Sequence, residues 1–196
     1  MAELDIALSI ALGIGLAAAV GLRVFLPLLV ASAAAYTGHL QLSDNFAWLG
    51  SGPALIMLAV AAVAEVLAYY VPVVDNALDA VAAPAALVAG TLVSAAVMTD
   101  LPPIVKWTTA IIAGGGVAGL TQGVTTALRA KSTALTAGLG NSVIATSEAG
   151  GALLLSGLAL IAPFIAVALV VILCWLAFRW ARKLIARRRR AGSPAQ

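Results

Sequence analysis

The chain has 196 residues, of which 63% are hydrophobic and only 10% charged, with a mean hydropathy of +1.09 and a formal net charge of +3. Soluble domains carry about 25% charged residues, so an ordinary water-soluble fold is excluded and an integral multi-span membrane protein is indicated. Segments of alternating polarity, the mark of a transmembrane barrel, are missing. The expected class is therefore all-α: a polytopic membrane helical bundle of about five spans.

The net charge says little about partners, because seven of the cations sit in one tail: Arg179, Arg182, Lys183 and Arg187 to Arg190. A basic run directly after an apolar segment is the usual cytoplasmic anchor and is attracted to anionic lipid, so membrane lipid rather than nucleic acid is the expected partner. Residues 1–178 read as a single transmembrane domain and 179–196 as a basic cytoplasmic tail, which places the chain in the cell (inner) membrane as a multi-pass protein. The N-terminus, Met1-Ala2-Glu3-Leu4-Asp5, is acidic where a cleaved secretory leader would be basic. Cys174 is the one cysteine. It allows neither an intrachain disulfide nor a thiolate cluster, and reads as a small hydrophobe.

The first apolar segment runs from about residue 6 to 36 and contains Gly21-Leu22-Arg23-Val24-Phe25-Leu26-Pro27. At 1.5 Å per residue it would extend roughly 45 Å, too long for one upright span and too short for two. The expectation is a bent first helix, with flexure near Gly21 and Pro27; a re-entrant pair of half-helices is the competing picture. Arg23 lies in its middle, where a charge costs about 2.5–3.5 kcal/mol even on the lenient insertion scale. A polar connection follows, Thr37 to Asn45, with His39 as a surface imidazole, and then Phe46 and Trp48 suit an interface.

Ser51-Gly52-Pro53 predicts the start of the second span, through a capping serine and an early proline whose missing N–H costs nothing. Glu65 lies inside this span, which ends at Tyr69 and Tyr70 as interfacial aromatics before Pro72. Val73 to Val81 reads as a short amphipathic stretch with Asp75 and Asp79 on one face. The third span covers about 83–99, and Asp100-Leu101-Pro102-Pro103 is a turn. The fourth covers about 105–128. From Arg129 through Lys131, Ser132 and Thr133 to Ser142 the chain reads as polar and flexible, leading through Glu148 into a last span over about 151–178 that contains Pro163.

With the basic tail inside, five spans put the N-terminus outside. Arg129 and Lys131 then lie on the outer side, where they require neutralisation by acids. Arg23, Glu65, Arg129 and Glu148 are accordingly the candidate polar intramembrane site, with Glu65 the first and Glu148 the second candidate partner of Arg23. Asp75, Asp79, Lys131, Ser132 and Thr133 are secondary candidates: the two aspartates otherwise form a solvated face, and the hydroxyls either line a polar path or bond back to helix carbonyls.

Gly13, Ala17 and Gly21 align with Gly115, Gly119 and Gly123 when the chain is shifted by 102 residues. Both stripes have the small-xxx-small spacing of close helix contacts, which also permits homo-oligomers. The offset of three spans would make units 5–70 and 105–178 an inverted repeat, a plan common in secondary transporters, although an Ala/Gly-rich chain also yields such matches by chance. Catalytic signatures are absent: no phosphate loop, HExxH, GxSxG or paired histidines. Neither an enzyme, nor a cofactor, nor a metal is expected. Gly114-Gly115-Gly116, within an apolar span, reads as helix packing.

Several stretches together resemble the domain of unknown function 4126 family of bacterial multi-span membrane proteins. They are Gly21 to Pro27, Ala47-Trp48-Leu49-Gly50-Ser51, Ala64-Glu65-Val66-Leu67-Ala68, Val71-Pro72, Val74 to Asp79, Ala127 to Ala134, Gly138-Leu139-Gly140-Asn141 and Glu148. The chain departs from that pattern at Tyr69-Tyr70, where an acidic–basic pair is expected. The resemblance implies a compact multi-span bundle and supplies no activity. The function that the residues support is a small-solute or ion transporter or channel with a polar intramembrane site. The competing reading is a structural or assembly protein whose buried charges only lock helices together. An intramembrane lipid-modifying enzyme has the weakest support, since no nucleophile or metal set is visible.

Overall fold

The computed structural model describes residues 2–136 and 140–191 and is all-helical, with no strand among them. Its helices are α1 (Ala2–Val20), α2 (Phe25–Tyr36), α3 (Gly52–Ala68), α4 (Pro72–Val97), α5 (Pro103–Thr109), α6 (Gly116–Thr136), α7 (Asn141–Ile161) and α8 (Pro163–Ala191). A 3₁₀ helix over Asp44–Gly50 precedes α3, and a π-helical segment over Ala110–Gly115 joins α5 to α6. Among the described residues, four helical stretches are long and apolar enough to cross a membrane. A fifth is reached if the 3₁₀ helix and α3, bent by 68° at their junction, count as one span.

The core is built around α1. Leu16, Ala17, Ala18, Ala19 and Val20 are consecutive and all buried, so the end of this helix is covered on every side. It packs chiefly against α4, α7 and α8. A helix that is apolar all round belongs inside a bundle, and the small side chains let the neighbours come close. Ser94 on α4 donates its hydroxyl to the Gly13 carbonyl at 2.8 Å. A Cβ on Gly21 would fall against the Ala118 carbonyl oxygen and 2.6 Å from Thr121 Cβ on α6. The stripe Gly13–Ala17–Gly21 is thus spent on contacts within the chain.

The proposed companion stripe has different surroundings. Gly115 and Gly119 face Thr91 and Leu87 of α4, whereas a Cβ on Gly123 would meet nothing within 4 Å. Outward-facing apolar side chains, among them Ile56, Val60 and Val63 on α3, Ile112 beside α6 and Leu154 and Ile161 on α7, give the bundle the surface a bilayer requires. This surface and the span lengths fit an integral membrane protein.

Three expectations change and one is sharpened. The first segment is interrupted at Gly21 as expected, over residues 21–24, but Pro27 sits in the first turn of α2 and so starts a helix rather than bending one. The stretch 73–81 is not separate from the third span: α4 runs unbroken from Pro72, with Pro84 inside it. The polar region after residue 128 is helical, because α6 continues to Thr136 and α7 begins at Asn141. The last span is split at Ala162, just before Pro163, where proline and its clash with the preceding turn end α7. The start of α3 is as the sequence indicates, with Ser51 Oγ accepting the Ala54 amide at 3.3 Å. The tail is helical to Ala191; residues 192–196 lie outside the described ones.

Because Gly21 is pressed against α6 backbone, Gly21→Ala should destabilise the fold by about 1–3 kcal/mol. Gly123→Ala should be neutral or stabilise by up to about 1 kcal/mol. Reversible unfolding in mixed micelles measures both, and equal effects would place the tight helix crossing elsewhere.

Candidate functional site

The break between α1 and α2 creates a local demand. Gly21, Leu22 and Arg23 still return their amides to Ala17 and Ala19 carbonyls at 3.0–3.1 Å, but the chain then leaves the helical path. The next amides, Val24 and Phe25, open α2 and have no intrahelical acceptor. Glu65, reaching from α3, accepts both: Val24 N–H to Oε1 at 2.8 Å and Phe25 N–H to Oε2 at 3.0 Å. One carboxylate therefore caps a helix N-terminus, where the helix dipole also favours negative charge.

Arg23 projects from this break and is 2% exposed. Its NH2 nitrogen lies 3.1 Å from Glu148 Oε2 and donates to the Ala145 carbonyl at 3.0 Å, both on α7. Its Nε and NH1 are buried and have no hydrogen-bond partner. Arg129, on α6, is 3% exposed and takes the same carboxylate in a two-bond fork. Its Nε donates to Glu148 Oε1 at 3.1 Å, and its NH2 makes a close contact with Oε2. The Tyr69 ring, buried at the end of α3, lies under both cations. The Arg23 guanidinium carbon is 3.7 Å from its centroid and that of Arg129 is 4.2 Å away, well inside cation–π range.

Each contributor is placed by helix periodicity. Ala118, Gln122, Thr125 and Arg129 form the buried stripe of α6, and Asn141, Ala145, Glu148 and Ala152 that of α7, with the three- and four-residue spacing of a helix face. Glu65 and Tyr69 are four apart on α3 and its C-terminal flank, hence on one side.

Of the four primary candidates, Arg23, Arg129 and Glu148 meet in one cluster. Glu65 adjoins them through the backbone of Val24 and Phe25. The partner assignments require correction: Glu148, not Glu65, forms the ion pair with Arg23, because Glu65 is engaged by the two amides at the break. Among the secondary candidates, Thr133 exchanges hydrogen bonds with Asn141, including Asn141 Nδ2 to Thr133 Oγ1 at 3.0 Å. The Ser132 carbonyl accepts the Thr136 hydroxyl at 2.8 Å. The Thr133 hydroxyl thus joins α6 to α7, while the Thr136 hydroxyl bonds back to a helix carbonyl. Lys131 is exposed on α6. The Asp75 and Asp79 side chains lie outside the described ones.

Tyr69 was the residue missed, since a tyrosine before a proline at a span end reads as interfacial. Its four-residue spacing from Glu65 was the available signal. Tyr70, its neighbour, is exposed and bonds Thr146 Oγ1 through its hydroxyl at 2.7 Å.

A helical bundle with span-length apolar helices, a broken first segment and a buried arginine–carboxylate cluster defines the class: a multi-span helical protein of the membrane type. More narrowly, the chain belongs to the domain of unknown function family DUF4126, whose model matches residues 10–183. No curated protein and no solved structure matches it.

Removing one member of a buried ion cluster strands its partners, so Glu148→Gln should cost about 3–5 kcal/mol. Glu65→Gln, which weakens a cap, should cost about 0.5–2 kcal/mol. A double-mutant cycle should give Arg129–Glu148 a coupling of about 1–3 kcal/mol, at least twice that of Arg129–Glu65. Equal couplings would return Glu65 to the ion pair.

Proposed function

We propose that this protein is a multi-pass protein of the cell (inner) membrane, with its basic C-terminal tail cytoplasmic, that moves a small solute or ion past a charged site within the bundle. The observation that carries this reading is the meeting of Arg23, Glu148 and Arg129 at a discontinuity in an apolar helix. Secondary transporters build their sites from interrupted helices whose half-helix ends and charged side chains face the substrate region. Ionisable groups within apolar spans are costly and are retained where they do something. The Glu65 cap fits the same plan, because it meets the backbone demand of the break without consuming Arg23.

The tail supports the orientation. Arg179 lies over Trp175 at 5.3 Å and Arg182 over Phe178 at 5.8 Å. Aromatic rings and cations at the end of a span are the pattern of a cytoplasmic membrane interface.

A second reading, a helix lock with no transport, is favoured by the directness of the ion pairs: the Glu148 carboxylate bridges two guanidinium groups with no intervening gap. The two readings separate by flux. In proteoliposomes, solute or ion flux should be present with the natural chain and fall at least about tenfold, the scale of one lost charge-assisted contact of 1.4 kcal/mol or more, in Arg23→Gln. If flux is absent and Glu65→Gln changes only stability, the lock reading holds. Reporter fusions at both termini test the orientation, and a tail found outside overturns it.

A further inference from the structure

We propose that Arg23 binds a small monovalent anion, of the size of a halide or formate, through its Nε and NH1 donors. This deepens the transport reading and rests on it for the purpose of the site. A guanidinium carries five N–H bonds. NH2 donates to the Ala145 carbonyl and pairs with Glu148 Oε2 at 3.1 Å. The three on Nε and NH1 are unclaimed although the side chain is only 1% exposed.

The neighbouring carboxylates do not reach these donors. The oxygen that Arg23 touches also holds Arg129, whose fork takes both oxygens of that carboxylate. Glu65, the other carboxylate at the break, spends its oxygens on Val24 and Phe25 and gives Arg23 no direct contact. Arg23 is therefore held by one ion-pair contact to a shared oxygen, by the Ala145 carbonyl and by the Tyr69 ring, with Nε and NH1 left over. A buried water could accept from these donors, but donors on a guanidinium bond an anion more strongly than a neutral acceptor, because the bond is charge-assisted. The enclosure limits its size, since a bulky or strongly hydrated ion would have to open the contacts between α1, α6 and α7. Multiply charged anions would bring charge that a single guanidinium with three free donors does not balance.

Thermal unfolding of the full chain in lipid nanodiscs tests this at constant ionic strength, comparing bromide, chloride or formate with gluconate as the bulky control. The natural chain should show a saturable rise in Tm of about 5 °C with the small anions, as expected for ligand near a hundred times its Kd. Arg23→Gln, which leaves the Arg129–Glu148 pair whole, should lose the rise. No difference between bromide and gluconate in the natural chain overturns the proposal, and so does an equal rise in Arg23→Gln. Should that variant fail to fold, bromide-soaked crystals of the natural chain decide. Anomalous density within hydrogen-bonding reach of Arg23 Nε or NH1 supports the site; density at the surface alone means an adventitious ion only and overturns it. Bromide binding without flux would remove transport and keep the anion site. Flux together with no Tm difference between bromide and gluconate would keep transport and remove the anion site.

Discussion

The Glu65 carboxylate on the amides of Val24 and Phe25 is the contact on which the rest of the arrangement turns. Inside an apolar layer, a break in a helix leaves backbone donors that lipid cannot satisfy, at several kcal/mol each. A single side chain from α3 answers both, with charge-assisted bonds at a helix N-terminus. With that demand met, the chain passes from α1, enclosed by α4, α7 and α8, to α2, which packs on α3 and α7. Arg23 is left at the seam, facing α7.

What gathers there is expensive. Buried ion pairs are often no more stabilising than apolar groups of the same volume, because desolvation offsets their attraction. Here the expense is partly contained. Arg129 and Glu148 meet in a fork, and both cations lie against the face of Tyr69. Among the described residues, the buried side-chain nitrogens with no hydrogen-bond partner are Nε and NH1 of Arg23. Arg129 and Glu148 connect α6 to α7, and Arg23 ties the break between α1 and α2 to the same helix.

Much of this was legible in the sequence. Hydropathy located the apolar helices, Ser51-Gly52-Pro53 marked the start of α3, and rarity of charge singled out Arg23, Glu65, Arg129 and Glu148. The pairing was not legible, because it depends on where the first helix breaks. With flexure expected near Gly21 and Pro27 but no full break between them, the amides of Val24 and Phe25 lie inside a helix and make no claim on Glu65. The segment from 129 to 148 was misread for a related reason. Its arginine, hydroxyls and glutamate lower the local hydropathy, yet Arg129 and Glu148 continue the buried stripes of Ala118–Gln122–Thr125 and Ala145–Ala152. Periodicity outweighs mean polarity where a polar face is turned inward.

The unspent donors of Arg23 follow from the packing two residues earlier. A long cationic side chain near the end of a span ordinarily swings toward the interface and keeps its head in water. Gly21 prevents this. Its backbone is pressed against Ala118, Thr121 and Gln122 of α6, and Leu22 and Arg23 remain hydrogen-bonded to Ala19. The Arg23 main chain is thereby fixed at the seam, and its side chain reaches Ala145 and Glu148 rather than the surface. Small residues, which elsewhere in the bundle only bring helices together, here set the position of a charge. The close crossing of α1 and α6 and the incomplete pairing of Arg23 are two consequences of one sequence feature, the glycine that opens the break.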